Sequence, residues 1–250
     1  MLDFGFYNMD CMDGMREFPD KYFDLAIVDP PYGINVGSAS MGAGGGVSPQ
    51  TNRSAKQNRG GLYGTIGGSK PFGDSSRGGL CVSPKIYKAF DDSHTPDAVY
   101  FRELSRVAKK QIIWGGNYFL NYLNATECLI VWDKGRRGIN FADCEIAWTN
   151  LKEPCRIFEF LWNGMLQGDM TNKEDRIHPT QKPVRLYTWL LSKFAKPGDK
   201  ILDTHVGSAS SLIACHQMGY KYVGFEIDPD YYRMAKERLK EAEDQITMIL

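Results

Sequence analysis

The chain has 250 residues, 42% hydrophobic and 24% charged, with a formal net charge of zero, which is the composition of a globular protein with a sizeable core. It contains no apolar run of about 18 residues and no basic, apolar leader, so the sequence predicts neither a membrane span nor a signal peptide. Six scattered cysteines without a C-x-x-C pair argue against a structural zinc site or a disulfide framework and indicate free thiols in a reducing cytoplasm.

The first predicted elements lead to an unusual proline-rich corner. A strand from Phe4 to Asp10 and a short helix near residues 12–18 precede a strand from Lys21 to Asp29. Most of this last strand is apolar, which is typical of a strand covered on both faces of a parallel sheet. It runs into Asp29-Pro30-Pro31-Tyr32, called the corner below. The two prolines end the ladder and stiffen a loop at the strand's carboxyl end, where open α/β sheets bind ligands.

The corner brings together a carboxylate, backbone carbonyls and an aromatic ring. An exocyclic amino nitrogen of a nucleobase is a poor nucleophile because its lone pair is delocalised into the ring. Asp29 could accept one amino hydrogen and the Pro30 carbonyl the other, which would release the lone pair. Tyr32 could stack on a base flipped out of a duplex. The tetrapeptide alone is as compatible with a proline turn in which the Asp and Tyr are incidental.

Residues 33–92 form a predicted insertion that is rich in glycine and basic. Fourteen of the 26 glycines fall between positions 33 and 79, and residues 33–90 carry a net charge of +6 against −6 for the remainder. Such a composition cannot fill a core and predicts a mainly mobile loop. It is either a solvated segment without a role or an arm that orders on a phosphate backbone. The candidate phosphate contacts are Arg53, Lys56, Arg59, Lys70 and Arg77.

Regular structure is predicted again from residue 95. Thr95-Pro96 suits the N-cap and first residue of a helix that extends to Lys109. A strand over residues 111–114 ends in Gly115-Gly116, and a short helix is predicted for residues 117–123. Cys128–Trp132 and Asp143–Thr149 are predicted as an antiparallel pair. Residues 151–177 have no clear pattern.

The last third of the chain has the pattern of a nucleotide half-site. The predicted elements are a helix over 184–194, a strand over 200–203, a helix over 208–218, a strand over 222–226 and a helix over 229–243. A turn containing Gly207 follows Asp203, and Glu226 lies 23 positions after Asp203, as for an acidic group that binds ribose hydroxyls. The absence of G-x-G-x-x-G favours a nucleoside over a dinucleotide. An ordinary βαβ unit with a solvated Glu226 is the alternative.

Taken together, these motifs resemble those of amino-directed DNA methyltransferases that use S-adenosylmethionine, in the permuted β class. The matching blocks, in the class's order, are the corner, Ile113-Trp114-Gly115-Gly116-Asn117, His178-Pro179-Thr180-Gln181-Lys182-Pro183, the loop from Asp203 to Ser210, and Phe225-Glu226-Ile227-Asp228. The resemblance implies one domain over residues 1–250: a Rossmann-like, mostly parallel twisted sheet flanked by helices, with an antiparallel strand pair. Residues 151–177 would be a short target-recognition segment.

The resemblance also implies residue roles, with no metal. Asp29, Pro30, Pro31 and Tyr32 would engage the target base. Asp10 would lie near the cofactor adenine, Glu226 on the ribose, and Thr180 and Lys182 near the methionine part, whereas His178 would be structural. The other implied cofactor-binding residues are Asp203, Thr204, His205, Gly207, Ser208, Ser210 and Ile227. The loop departs from the family's Asp-Pro-Phe-x-Gly-Ser-Gly-Thr at Thr204, His205 and Ala209.

The implied function is methylation of adenine N6 in double-stranded DNA, in the cytoplasm of a bacterium or a phage-infected cell, with or without a restriction partner. Asp at the first position of the corner favours adenine in this family, and cytosine N4 is the runner-up. Methylation of an RNA base or a protein amide is a further alternative. An inactive DNA-binding protein on the same fold is another, motivated by the altered loop after Asp203. A homodimer is left open.

Overall fold

A computed structural model of the protein describes residues 1–34, 87–88, 92–135, 137, 142–163 and 166–247. Most of the predicted basic insertion lies outside the described residues. Its candidate phosphate contacts, Arg53, Lys56, Arg59, Lys70 and Arg77, therefore stay predictions. Within the described ranges, no helix is long and apolar enough to cross a membrane.

The described elements alternate between strands and helices for most of the chain. The strands are β1 (Gly5–Asn8), β2 (Phe23–Val28), β3 (Ala108–Trp114), β4 (Leu129–Asp133), β5 (Cys144–Thr149), β6 (Arg156–Glu159), β7 (Trp162–Asn163), β8 (Leu166–Gln167), β9 (Lys200–Asp203) and β10 (Lys221–Glu226). The helices are α1 (Cys11–Arg16), α2 (Ala98–Val107), α3 (Val184–Phe194), α4 (Ser210–Gln217) and α5 (Pro229–Thr247).

Eight of these strands form one sheet in the order β1-β10-β9-β2-β3-β5-β4-β6. The run from β1 to β3 is parallel throughout, β5 is antiparallel to both β3 and β4, and β6 is parallel to β4. The other two described strands, β7 and β8, form a small hairpin within the 151–177 segment. The predicted α/β fold with a mostly parallel sheet and an antiparallel pair is confirmed.

Both faces of β2 are buried. Leu25 and Ile27 belong to a core cluster that contains apolar side chains of α3, whereas Ala26 and Val28 belong to a second cluster with α2. Because side chains alternate between the faces of a strand, a continuous apolar run is what a central parallel strand requires. The sheet is therefore covered by helices on both sides at this point.

The parallel strands place their carboxyl ends at one edge of the sheet, where such sheets bind ligands. β2 pairs with β9 and β9 pairs with β10, with Gly224 opposite Asp203. β1 completes the series, with Asn8 opposite Glu226. Asp29 after β2, Asp203 on β9 and Glu226 on β10 therefore all lie at the same edge.

Two local predictions are wrong. Helix α2 begins at Ala98 because Asp97, not Thr95, is its N-cap: the Asp97 carboxylate accepts hydrogen bonds from the backbone N–H of Val99 at 2.8 Å and of Tyr100 at 3.2 Å. Pro96 therefore precedes the helix. The short helix predicted for residues 117–123 is a single 3₁₀ turn at Gly116–Tyr118, so it begins one residue earlier and ends five residues sooner than predicted.

Candidate active site

Asp29 directly follows the carboxyl end of β2 and is held there by two hydrogen-bond donors. Its Oδ1 accepts a hydrogen bond from the Tyr32 hydroxyl at 2.5 Å, and its Oδ2 accepts one from Lys182 Nζ at 2.5 Å. The Asp29 side chain keeps 18% of its surface exposed. Each carboxylate oxygen has two acceptor sites, so both oxygens retain capacity for a further donor. The carboxylate is thus fixed in orientation and accessible from solvent.

The corner is shaped by contacts on its backbone and on its ring. The Asp92 carboxylate accepts hydrogen bonds from the backbone N–H groups of Tyr32 at 2.8 Å and of Gly33 at 3.0 Å. The Tyr32 ring stacks on Tyr118 with 4.9 Å between centroids and an interplanar angle of 14°. It also lies directly on Gly115, where an added Cβ would come within 2.2 Å of the ring. Gly115 has φ +68°, so this position needs glycine for two reasons.

Lys182 is buried between two carboxylates. Its side chain is 4% exposed, and Nζ lies 3.0 Å from Glu145 Oε2 in addition to its bond with Asp29. Burial opposes the charge of Lys182, but Asp29 and Glu145 raise its pKa above the ordinary value. Burial likewise opposes ionisation of Glu145, yet Lys182 and Lys134 lower its pKa to about 2. Lys182 and Glu145 are therefore both charged at neutral pH.

On the cofactor side, Asp203 holds the loop that follows β9. One carboxylate oxygen accepts the backbone N–H of His205 at 3.0 Å and the other accepts the Ser211 hydroxyl. The side chain is 2% exposed. Burial raises the pKa of Asp203 to about 7, and these hydrogen bonds oppose the rise only in part. Asp203 therefore acts on the shape of the loop through internal hydrogen bonds.

Glu226 joins the loop after β9 to the loop after β10. Its Oε2 accepts the backbone N–H of Gly207 at 2.8 Å, and its Oε1 accepts that of Asp228 at 2.9 Å. Burial raises the pKa of Glu226, against the effect of these two bonds. The Asp228 carboxylate in turn binds Lys88 Nζ at 2.7 Å. Ile227, between the two acidic residues, is exposed.

Several predicted cofactor-binding side chains bond to the protein itself. The Thr204 hydroxyl lies 2.7 Å from the Tyr100 hydroxyl and 2.9 Å from His205 Nδ1. The Ser208 and Ser210 hydroxyls are 3.1 Å apart and buried. These internal bonds fix the loop, and a contact of these residues with the cofactor stays a prediction.

The His178–Pro183 segment lies directly before α3 and brings Lys182 to Asp29. The Thr180 hydroxyl lies 2.9 Å from His178 Nδ1. Burial, together with the positive charges of Lys182 and Arg176, lowers the pKa of His178 to about 3. The ring packs edge-on against Tyr231 at 4.3 Å. A neutral, packed imidazole fits the structural role predicted for it.

A cleft of about 440 Å³ is lined by residues from both predicted half-sites. Pro31 of the corner lines it together with Asp10 and His205, from the ends of β1 and β9. Tyr100, from α2, forms part of its wall. The Asp10 carboxylate also caps α1 by accepting the Met12 N–H at 2.7 Å. The corner and the loop after Asp203 therefore open on one shared cleft.

The sequence gives little warning of two residues at the site, Glu145 and Tyr118. Glu145 is a charged residue within the strand Cys144–Thr149, and that position was the one available signal. Tyr118 follows Gly116-Asn117 and has no feature that predicts its stacking on Tyr32. Lys182 was predicted for the methionine part of the cofactor, and the structure places its ammonium group against Asp29. A contact of Lys182 with the cofactor stays a prediction.

Comparison with known proteins gives a consistent result. A family model described as a DNA methylase, N6_N4_Mtase, matches residues 23–237. The chain is 40% identical over 68 residues to the type II methyltransferase M.HpaI of Haemophilus parainfluenzae, a match that covers 27% of this chain and 22% of that relative. The chain thus matches about a fifth of that protein's length.

Two solved structures share the fold. The M1.HpyAVI complex with S-adenosylmethionine has a TM-score of 0.50 at 15% identity, covering 93% of this chain and 98% of that one. The PvuII DNA methyltransferase, which is cytosine-N4-specific, has a TM-score of 0.53 at 10% identity, with coverages of 98% and 93%. At these identities the likeness concerns the fold alone.

Proposed function

The chain belongs to the N6_N4_Mtase family of DNA methylases, and we propose that it transfers a methyl group from S-adenosylmethionine to the N6 amino group of adenine in double-stranded DNA. The observation that carries this proposal is the shared cleft, which is lined by Pro31 of the corner together with Asp10 and His205. A methyl transfer between two bound molecules requires their reacting atoms to meet in a single site.

On the base side, Asp29 and the Pro30 carbonyl accept the two amino hydrogens, which localises the nitrogen lone pair for attack. Asp29 is suited to this role because its two existing donors fix the carboxylate and leave acceptor capacity on both oxygens. Tyr32 stacks on the base after it has left the duplex. Its present stacking partner, Tyr118, is 46% exposed.

On the cofactor side, the residues present fit an adenosine-containing ligand. The cleft volume falls within the roughly 300–1,000 Å³ of small-molecule sites. Glu226 would accept hydrogen bonds from the ribose hydroxyls, and Asp10 would lie near the adenine. When bound, the cofactor supplies an activated methyl group on a sulfonium. Asp203, Thr204, Ser208 and Ser210 would hold the loop that shapes this part of the cleft.

Cytosine N4 is the second candidate target. The same corner geometry serves either amino group, and the PvuII cytosine-N4 methyltransferase shares the fold. The preference for adenine rests on the family's tendency to place Asp first in the corner for adenine and Ser for cytosine.

The test is to incubate the purified protein with methyl-labelled S-adenosylmethionine and DNA of mixed sequence, and to identify the labelled nucleoside by mass spectrometry. We expect N6-methyldeoxyadenosine in the wild type and none in Asp29→Ala, with cofactor affinity retained in the variant. If the labelled nucleoside is N4-methyldeoxycytidine, the target is cytosine N4 and not adenine N6. Cofactor binding without DNA methylation would refute the activity, and absence of cofactor binding would favour the inactive DNA-binding alternative.

A further inference from the structure

The buried ion cluster beside the corner points to an assignment for two residues. We propose that Lys182 and Glu145 are positioning residues for Asp29, so that Lys182 serves the base side of the site and not the cofactor. This inference rests on the proposed methyl transfer.

The first step concerns the donors of Lys182. An ammonium group carries three hydrogens and no acceptor. Three oxygens surround Lys182 Nζ: Asp29 Oδ2 at 2.5 Å, Glu145 Oε2 at 3.0 Å and the Tyr32 hydroxyl at 3.3 Å. Asp29 and the Tyr32 hydroxyl accept hydrogen bonds from this ammonium group, and Glu145 contacts it as an ion pair, so all three of these neighbours belong to the protein itself. A cofactor carboxylate would have to displace one of them.

The second step concerns how Lys182 is held. Glu145 extends from β5, an antiparallel strand outside the parallel half of the sheet, and its other oxygen accepts a hydrogen bond from Lys134. The ammonium also lies 5.5 Å from the centre of the Trp114 ring. Glu145 thus gives Lys182 a second anionic contact, from an element other than the corner. The lysine is fixed between a strand that carries no predicted site residue and the corner.

The third step concerns what Asp29 gains. With Lys182 on one oxygen and Tyr32 on the other, the carboxylate has a single orientation, and its remaining acceptor sites are available to an amino group. Removing the ammonium would leave Asp29 and Glu145 as neighbouring, partly buried negative charges without their shared cation. Such charges repel each other and favour rotation of Asp29 toward solvent. The acceptor would then be lost from its working position.

The experiment compares Lys182→Gln, Lys182→Arg and Glu145→Gln with wild type. Lys109→Gln is the matched control because Lys109 forms a surface ion pair with Asp24 at 2.7 Å, remote from this cluster in its contacts. The measurements are kcat for DNA methylation at saturating cofactor, cofactor Kd by calorimetry, and thermal unfolding. We expect Lys182→Gln to lower kcat about 10- to 100-fold, the loss that a displaced catalytic group causes. Cofactor Kd should stay within about twofold, a change of about 0.4 kcal/mol.

Two further results separate positioning from general stability. Lys182→Arg keeps the charge and should recover part of kcat, whereas a purely steric role would show no such recovery. In the Asp29→Asn background, Lys182→Gln should cause no additional loss of kcat, since residues acting as a unit are non-additive. Glu145→Gln should lower kcat in the same direction, and it tests the proposal even if Lys182→Gln does not fold.

The overturning results are equally specific. A cofactor Kd weakened tenfold or more with kcat retained would make Lys182 a cofactor ligand. An unchanged kcat in Glu145→Gln, or additive losses in the Asp29→Asn background, would also overturn the assignment. A wild type that binds the cofactor but methylates no DNA refutes the proposed function. An active wild type whose variants depart from these expectations refutes only the roles of Lys182 and Glu145.

Discussion

Replacing Asp203 by Asn should make the protein more stable at alkaline pH. Asp203 is buried with its carboxylate bonded to the His205 N–H and the Ser211 hydroxyl, and burial raises its pKa from 3.8 to about 7. A carboxyl group with a higher pKa in the folded state binds its proton more tightly there. Its contribution to stability is therefore full below pH 3.8 and is lost as the pH rises toward 7.

The size of this effect follows from the shift of about 3 pH units at about 1.4 kcal/mol per unit, which gives about 4 kcal/mol above pH 7. Asn keeps the shape and one acceptor oxygen and has no charge to bury, but its NH2 group faces one of the two donors, at a cost that does not change with pH. Relative to wild type, the stability of Asp203→Asn should therefore rise by about 1 to 2 kcal/mol from acid pH to pH 5 and by about 4 kcal/mol from acid pH to pH 8.

The assay is urea unfolding of both proteins at pH 5, 6, 7 and 8, with the difference in free energy of unfolding plotted against pH. A difference that grows with pH and levels off near 7 supports the reasoning. A constant difference would show that the carboxyl titrates alike in the folded and unfolded states, and a difference of opposite slope would show that the folded protein favours the ionised form.

Substitutions at three other positions test neighbouring features. Gly115→Ala should lower the melting temperature and reduce methylation at least about tenfold. The reasons are that φ +68° costs alanine about 1–2 kcal/mol and that the added Cβ would meet the Tyr32 ring. Full activity would show that the corner tolerates a shifted ring. Ala209 is buried with φ +62°, a backbone conformation that strains residues other than glycine. Ala209→Gly should change the free energy of unfolding in urea by no more than about 1 kcal/mol, whereas Ala209→Val should lower it by more than about 2 kcal/mol. Equal effects of the two substitutions would contradict backbone strain at this position. Glu226→Gln should weaken cofactor binding about tenfold in calorimetry through the loss of a charged acceptor, whereas unchanged affinity would refute the ribose assignment.

Local pattern was sufficient to predict the strands that build the site. β2 was predicted from a near-continuous apolar run, and the structure shows it buried on both faces. β9 was predicted with the bounds it has, Lys200–Asp203, and β10 within one residue of its start. These elements were predictable because burial on both faces and turn residues at both ends leave a signal in a short stretch of sequence.

The ion cluster was not predictable in the same way. Asp29 and Lys182 are 153 positions apart, and their contact depends on which strands neighbour each other and in what register. Glu145 reaches Lys182 only because β5 pairs with β3 in the antiparallel sense. The prediction of the N-cap of α2 was wrong for a local reason. Thr95 and Asp97 are both residues that cap helices well, and sequence alone does not show which of them faces the helix N–H groups.

The pairing of β1 with β10 has a consequence for how the protein is made. Asn8 donates to the Glu226 backbone carbonyl across 218 positions, so β1 can form this contact only after β10 has been synthesised. Contacts of such long range form late because the chain must first close a large loop, which costs entropy. β2 and the corner are synthesised before β10, but the proposed cofactor pocket needs β10 as well. A chain truncated before β10 is therefore expected not to bind the methyl donor.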